Sequence, residues 1–133
     1  MIIEGKEYLI KMNGKTFHCA MDITMDYVGG KWKTVVLWYL KKEEKRFGEL
    51  NRLIPQITEK MLSIQLKQLE KSGLVFRKVY PEVPLRVEYG LTALGKSLIP
   101  VLDAIARWGR VLGDSRGKTV EVVQKKARSS VAR

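Results

Sequence analysis

The spacing of apolar residues predicts a mainly helical protein with two β-hairpins. Along most of the chain these residues recur every three or four positions, which places them on one face of an α-helix. Asn13-Gly14 separates two short β-prone runs, and this dipeptide favours a two-residue hairpin turn. The predicted helices cover residues 20–28, 31–42, 48–54, 58–72 and 92–109, and two longer β-prone runs cover residues 75–80 and 86–91.

The order of these elements in the middle of the chain is typical of a winged helix-turn-helix. A short helix ends at Pro55, and Thr58 is a suitable N-cap for the next helix. The β-hairpin that follows, with two prolines in its loop, occupies the place of a wing. We therefore predict an α+β fold, mainly α: an N-terminal hairpin, a winged helix-turn-helix and a long C-terminal dimerisation helix.

The helix predicted at residues 58–72 has an apolar face and a basic face. Leu62, Leu66 and Leu69 share one side and are expected to lie in the core. Lysines and a hydroxyl suit the phosphates that line a major groove, while glutamine can pair with adenine and isoleucine can contact a thymine methyl. The alternative is an ordinary solvated face, because lysine-rich helix faces are common. The candidate DNA-binding residues on this helix are Lys60, Ser63, Ile64, Lys67 and Gln68.

Basic residues around the predicted wing are further candidates for contact with DNA. Arg86 lies where the loop re-enters the second strand, and Lys78 lies on the first strand. Arg46 precedes the first helix of the helix-turn-helix, where backbone phosphates pass. We expect Arg86 to reach the minor groove or a phosphate. The alternative is an ion pair within the protein, with Glu82 or Glu88.

The last predicted helix carries more apolar surface than a monomer of 133 residues should need. We interpret the excess as the interface of a homodimer, with core packing as the alternative. The candidate interface residues are Leu98, Leu102, Ile105 and Trp108. The predicted organisation is a hairpin arm (1–18), a DNA-binding and dimerisation domain (19–109) and a basic, flexible tail (110–133).

Composition narrows the class of partner. With 25 basic and 14 acidic residues the formal net charge is +11, which suits a polyanion such as double-stranded DNA. The sequence has no Gly-rich phosphate loop, nucleophile elbow or metal-ligand spacing, so we predict no enzyme activity, metal site or cofactor. Its longest apolar run has six residues, whereas a membrane span needs about 20. No signal-peptide pattern is visible, and we expect a cytoplasmic protein without membrane contact.

Several blocks of the sequence resemble the HxlR family of prokaryotic regulators. In order, they are Gly29–Lys33, Arg46–Leu50, Lys60–Leu62, Val79–Tyr89 and Leu91–Leu98. The resemblance extends from about residue 19 to residue 109. It implies a dimeric winged helix protein that pairs through its N-terminal and C-terminal helices and binds a palindromic operator. Leu85, where a proline is common, and Ile64, where the residue is often polar, depart from the family pattern, so the operator cannot be transferred from relatives.

Cys19 raises the question of a signal. Some members of this family resemble thiol sensors with a cysteine just before the first helix, and a helix N-terminus lowers a thiol pKa. A response to thiol oxidation or electrophiles is therefore a hypothesis, with a buried, inert cysteine as the alternative. A regulator that responds to a small molecule without redox sensing and a non-specific basic nucleic-acid-binding protein are the alternative functions. Aromatic residues make up only 8% of the chain, which disfavours a reader of single-stranded RNA.

Overall fold

The computed structural model describes residues 2–122, which fall into two compact units. The first unit ends at Lys31 and the second begins at Trp32. This division groups the first helix with the N-terminal hairpins, whereas the sequence predicted a boundary after residue 18. The distal part of the predicted tail, residues 123–133, lies outside the described residues.

The first unit consists of two β-hairpins and a helix. Its elements are β1 (Ile2–Ile3), β2 (Lys6–Glu7), β3 (Ile10–Met12), β4 (Lys15–Phe17) and α1 (Ala20–Val28). The predicted hairpin is confirmed in β3 and β4, with Met12 paired to Lys15. Asn13 and Gly14 have φ angles of 52° and 73°, the left-handed values that its two-residue turn requires.

Polar contacts join the second hairpin to α1. Lys15 Nζ lies 3.2 Å from Asp26 Oδ2, and the Asn13 side-chain amide donates to the Tyr27 hydroxyl at 3.5 Å. Each pair connects a hairpin residue to the C-terminal half of the helix. A two-stranded ribbon is marginal by itself, so α1 provides the support that this hairpin needs.

The second unit contains five helices and a three-stranded antiparallel sheet within its described residues. Its elements are α2 (Lys33–Tyr39), β5 (Lys45–Arg46), α3 (Phe47–Leu53), α4 (Glu59–Lys71), β6 (Val75–Tyr80), β7 (Arg86–Leu91), α5 (Ala93–Ser97) and α6 (Ile99–Arg116). The sheet order is β5-β7-β6, so β7 lies at the centre. The bounds of the two wing strands are those predicted from the sequence. Strand β5, which is only two residues long, was not predicted.

The core of this unit is built from the apolar faces of its helices and the inner end of the wing. Leu62, Leu66 and Leu69 of α4 are buried, which confirms the apolar face predicted for this helix. Leu37 of α2 and Leu50 of α3 are buried with them. Helix α4 is thus held on one side by the core, and its opposite side is left to the surface.

The ends of the helix-turn-helix follow from local chemistry. Helix α3 ends before Pro55, as predicted. The Thr58 hydroxyl accepts a hydrogen bond from the Met61 backbone N–H at 3.0 Å, which confirms the predicted N-cap of α4. Gly73 follows the last turn with a φ of 82°, a left-handed conformation that glycine adopts without strain.

The predicted long final helix is wrong in two respects. Thr92 does cap a helix, since its hydroxyl accepts from the Gly95 N–H at 3.1 Å, but that helix is the short α5. Helix α6 begins separately at Ile99, with Pro100 in its first turn, where the missing N–H costs nothing. It then continues to Arg116, so residues 110–116 of the predicted flexible tail are helical. In the described range 2–122, no helix is long and apolar enough to cross a membrane.

Candidate nucleic-acid interface

The outward face of α4 is basic and accessible. Lys60 and Lys67 are exposed and lie two turns apart, on the side opposite the buried leucines. Lys71, one turn further along, is exposed as well. Within residues 2–122, none of these three lysines takes part in an ion pair. The helix therefore presents a row of exposed positive charges.

Three smaller side chains lie among these lysines. Ser63 and Ile64 are half-buried, and Gln68 is exposed at the edge of the same face. Their shorter reach leaves them closer to the helix axis than the lysine ammonium groups. The arrangement can place cations on backbone phosphates while a hydroxyl, an apolar group and an amide approach base edges.

The wing lies next in the chain, and its strands are in a fixed register. Val75 pairs with Leu91 at the inner end of the hairpin, where both residues are buried. Tyr80 pairs with Arg86 at the outer end, next to the loop 81–85. The exposed fraction of the chain increases along this hairpin, from the buried base to a loop in which every residue is exposed.

Arg86 is engaged within the protein. Its Nη2 atom lies 3.2 Å from Glu82 Oε1, and its Nε atom lies 3.4 Å from Glu88 Oε2. The guanidinium Cζ atom lies 3.8 Å from the centroid of the Tyr80 ring. The structure thus shows the ion pair within the protein that was the alternative, and it involves both carboxylates. The contact of Arg86 with DNA stays a prediction.

The other two basic candidates near the wing are exposed. Lys78 extends from β6, with Nζ 4.8 Å from the Tyr80 ring centroid. Arg46 is the N-cap residue of α3, and its backbone N–H donates to the Glu49 carboxylate at 2.9 Å. That bond fixes the start of α3 while the Arg46 side chain stays at the surface.

Tyr80 is a structural residue of the wing that sequence reasoning missed. Its hydroxyl donates to Glu44 Oε2 at 3.2 Å, which connects the outer end of β6 to the segment before β5. The predicted strand bounds could have revealed its contact with Arg86, because a hairpin between residues 75–80 and 86–91 places Tyr80 directly opposite Arg86.

A second surface feature is an apolar stripe on α6. Val101, Ile105 and Trp108 are 40%, 49% and 68% exposed and lie on one face of the helix. Leu98 is half-buried. Leu102 is only 3% exposed, so its predicted place in the interface is wrong: it faces the core, as the alternative interpretation had it.

The stripe borders a groove between α2 and α6. The groove has a volume of about 260 Å³, and its lining includes Trp38, Tyr39 and Ile105. Lys41, two residues after α2, places its Nζ atom 3.0 Å from Asp103 Oδ1 of α6 and connects this end of α2 to α6. The groove and the stripe form a continuous apolar surface.

Cys19 is half-buried at the N-cap of α1. A hydrogen bond with the His18 side chain lowers the pKa of the Cys19 thiol, and a hydrogen bond with the Asp22 backbone adds to this effect. A lower pKa means a larger fraction of reactive thiolate near neutral pH. No group of three or more metal-ligating side chains occurs in the described part of the chain.

A family model described as HxlR-like helix-turn-helix matches residues 27–116. The chain belongs to this family. An HTH-type transcriptional regulator of Methanothermobacter thermautotrophicus is 48% identical over 110 residues, which cover 83% of this chain and 84% of that protein. The HTH-type regulator YkvN of Bacillus subtilis is 50% identical over 95 residues, which cover 71% of this chain and 80% of YkvN.

A solved structure with a similar sequence has the same fold as this chain. The redox regulator HypR in its oxidised form is 40% identical and matches with a TM-score of 0.68, covering 76% of this chain and all of the HypR chain. The predicted winged helix-turn-helix fold and the resemblance to the HxlR family are both confirmed. This chain is therefore a DNA-binding transcriptional regulator of HxlR type.

Proposed function

We propose that this HxlR-type regulator acts as a homodimer that recognises a palindromic operator in a sequence-specific manner. The observation that carries the proposal is the outward face of α4, where exposed lysines surround Ser63, Ile64 and Gln68 and form no ion pair within residues 2–122. The opposite face is anchored in the core by three buried leucines, so the helix can enter a major groove without unfolding. Chromosomal DNA as a target makes the cytoplasm its site of action.

Within this helix the side chains divide into two roles. Lys60 and Lys67 neutralise phosphates and set affinity, whereas Ser63, Ile64 and Gln68 contact base edges and set sequence preference. Lys78 on the wing and Arg46 at the start of α3 add flanking phosphate contacts. A hydroxyl and an amide both donate and accept hydrogen bonds, and Ile64 suits a thymine methyl.

The apolar stripe of α6 supports a homodimer. Ile105 and Trp108 are large, about half or more exposed, and next to a groove that continues the same apolar surface. An isologous interface covers such a stripe in both subunits at once. Two-fold symmetry then presents two copies of α4 to half-sites about 34 Å apart, one turn of the duplex.

Charge variants of α4 test the assigned interface. The probe is a duplex enriched from a random-sequence pool by the wild-type protein, and binding is measured by fluorescence anisotropy over a range of salt concentrations. Lys67→Gln removes one phosphate contact from each subunit, so the slope of log K against log salt should fall by about 1.8. Lys96→Gln, an exposed lysine of α5 outside the helix-turn-helix, is the matched control. Equal slopes for both variants and the wild type contradict the orientation of α4.

Sequence preference is tested separately. Gln68→Ala should relax preference at one position of each half-site by about 1–3 kcal/mol, with a salt slope close to that of the wild type. Ser63→Ala should act in the same way at a neighbouring position. Affinities are then ranked over a panel of altered operator sequences. If Gln68→Ala, Ser63→Ala and the wild type rank these sequences identically, the two residues do not take part in base recognition. That result would favour the alternative of a non-specific basic nucleic-acid-binding protein.

We further propose that oxidation of Cys19 changes the affinity for DNA. Two observations support this: its lowered thiol pKa, and 40% identity to HypR, whose structures are described as those of a redox regulator. The chain has one cysteine, so the oxidised product is a disulfide with the partner subunit or with a small thiol. Hydrogen peroxide takes up the two electrons and two protons and becomes water.

The thiol hypothesis has a simple control. Peroxide should change operator affinity in the wild type and leave Cys19→Ser unaffected, and mass spectrometry identifies which disulfide forms. Equal responses of both proteins, or no response of either, contradict redox sensing at Cys19. The second of these results would favour a regulator that responds to a small molecule without redox chemistry.

A further inference from the structure

Arg86 is surrounded by protein groups on three sides. Its guanidinium stacks on the Tyr80 ring at 3.8 Å and lies within 3.4 Å of carboxylate oxygens from both Glu82 and Glu88. Only 29% of its side chain is exposed. A planar guanidinium suits this combination of stacking and pairing with two separate carboxylates, which a lysine could not reproduce. Leaving this site to reach a phosphate would uncover two carboxylates.

The ring beneath Arg86 connects the wing to the helix-turn-helix. The Tyr80 hydroxyl donates to Glu44 at 3.2 Å, and Glu44 directly precedes β5. Strand β5 runs without a break into α3, the first helix of the helix-turn-helix. The stack of Arg86 on Tyr80 therefore connects the outer end of the wing, through Glu44, to the start of the helix-turn-helix at β5 and α3.

Arg86 also pairs with the only ionisable residue of the wing loop. Residues 81–85 are Pro, Glu, Val, Pro and Leu, so Glu82 is the one ionisable group among them. Val83 is fully exposed and Leu85 is 61% exposed, which makes the loop tip apolar. An unpaired carboxylate at this place would be repelled by DNA, and the guanidinium that Glu82 shares with Glu88 screens that charge.

We propose that Arg86 is a positioning residue of the wing rather than a residue that contacts DNA. It holds the loop on Tyr80 and masks the charge of Glu82, so that Lys78 and the apolar tip face the minor groove. Exposed apolar groups are known to fill minor grooves in other proteins, and an exposed lysine can reach the adjacent phosphates. This inference rests on the proposed recognition of DNA and assigns the source of the wing's geometry.

A double-substitution experiment separates positioning from contact. Operator affinity is measured by fluorescence anisotropy for the wild type, Arg86→Met, Glu82→Gln and the double variant, with the duplex enriched by the wild type as probe. Arg86→Met should weaken binding by about fivefold or more, because it frees the loop and exposes two carboxylates. In the double variant one of these charges is gone, so affinity should recover by about two- to fivefold. Hydroxyl-radical footprints of Arg86→Met should lose protection at the wing sites and keep it in the central major grooves.

Direct contact predicts different results. If Arg86 binds a phosphate, Glu82→Gln changes affinity by the same factor in the wild type and in the Arg86→Met background, so no rescue specific to the double variant appears. That result overturns the positioning role, as does unchanged binding by Arg86→Met. Circular dichroism melts of all variants show whether each protein is folded. A wild type that enriches no sequence overturns the proposed function and this inference together, whereas a specific wild type with an unrescued double variant overturns only the inference.

Discussion

Leu102 and Trp108 lie on the same helix, yet their substitution should have opposite consequences for folding and association. Leu102 is 3% exposed, and Leu102→Ala leaves a cavity that costs about 2–5 kcal/mol of unfolding free energy. For a protein of this size the melting temperature should fall by roughly 10 °C or more. Trp108 is 68% exposed, so Trp108→Ala removes little from the core of the protomer.

The cost of Trp108→Ala should appear in the dimer instead. About two thirds of a surface of roughly 200 Å² is available to a partner, which corresponds to about 3 kcal/mol of transfer free energy. Ordering costs reduce this gain, but truncation of a central interface tryptophan commonly costs about 2 kcal/mol or more, a factor of about 30 in the dissociation constant.

Two measurements distinguish these effects. Sedimentation equilibrium should show a monomer for Trp108→Ala at concentrations where the wild type and Leu102→Ala are dimers. Thermal melts at two protein concentrations should show a concentration-dependent midpoint for the wild type, and its loss in Trp108→Ala. The reasoning is refuted if Trp108→Ala remains dimeric, or if it unfolds as early as Leu102→Ala at every concentration.

Three further predictions follow from single contacts. Gly95→Ala would drive a Cβ atom into the Leu74 carbonyl oxygen and should lower the free energy of unfolding by about 1–3 kcal/mol. Gly113→Ala, at a helical glycine with open space around it, should raise that free energy by up to about 1 kcal/mol. Equal melting temperatures of the two variants would contradict this packing. Thr58→Ala removes the α4 N-cap and should cost about 1 kcal/mol in urea unfolding, with Thr58→Ser as the variant that retains stability. His18→Ala should raise the pKa of the Cys19 thiol, so the rate at which Cys19 is alkylated at pH 7 should fall and the midpoint of its titration should move to higher pH. An unchanged midpoint would contradict the role of the His18 hydrogen bond in lowering this pKa.

Much of the second unit was predictable because its boundaries are set by residues with strong local preferences. Pro55 and Thr58 mark the turn between α3 and α4, and the leucine spacing of α4 identifies its buried face. The two prolines of the wing loop separate runs 75–80 and 86–91, so both strands were bounded correctly. In these places the tertiary structure agrees with what each segment prefers locally.

The errors occurred where a local signal has two interpretations. Pro100 lies in an apolar pattern that continues from α5 into α6, and the pattern suggested one helix where proline at N1 or N2 begins a second. Leu102 and Ile105 are both large apolar residues and lie one turn apart on α6. Only the packing of α6 on α2 decides which of them is buried. Residues 110–116 contain two arginines, an aspartate and the apolar pair Val111 and Leu112, and they extend a helix that is already nucleated.

Arg86 shows that charge alone does not reveal the contacts of a residue within the protein. A basic residue at the edge of a wing is a reasonable DNA contact, and its two neighbouring glutamates were recognised as alternatives. The aromatic ring that completes its site comes from the opposite strand and is itself held by Glu44. The strand register alone could have placed Tyr80 opposite Arg86, whereas the contact with Glu44 depends on a segment far away in the sequence.

The central claim is that this regulator reads DNA sequence through α4 as a dimer. Its most direct test is fluorescence anisotropy of the full chain on a duplex enriched from a random-sequence pool, against the same duplex scrambled, between 50 and 200 mM salt. The account predicts a preference of about a thousandfold or more for the enriched duplex, a steep salt slope, and two half-sites about ten base pairs apart. Equal affinity for both duplexes at every salt concentration would contradict it.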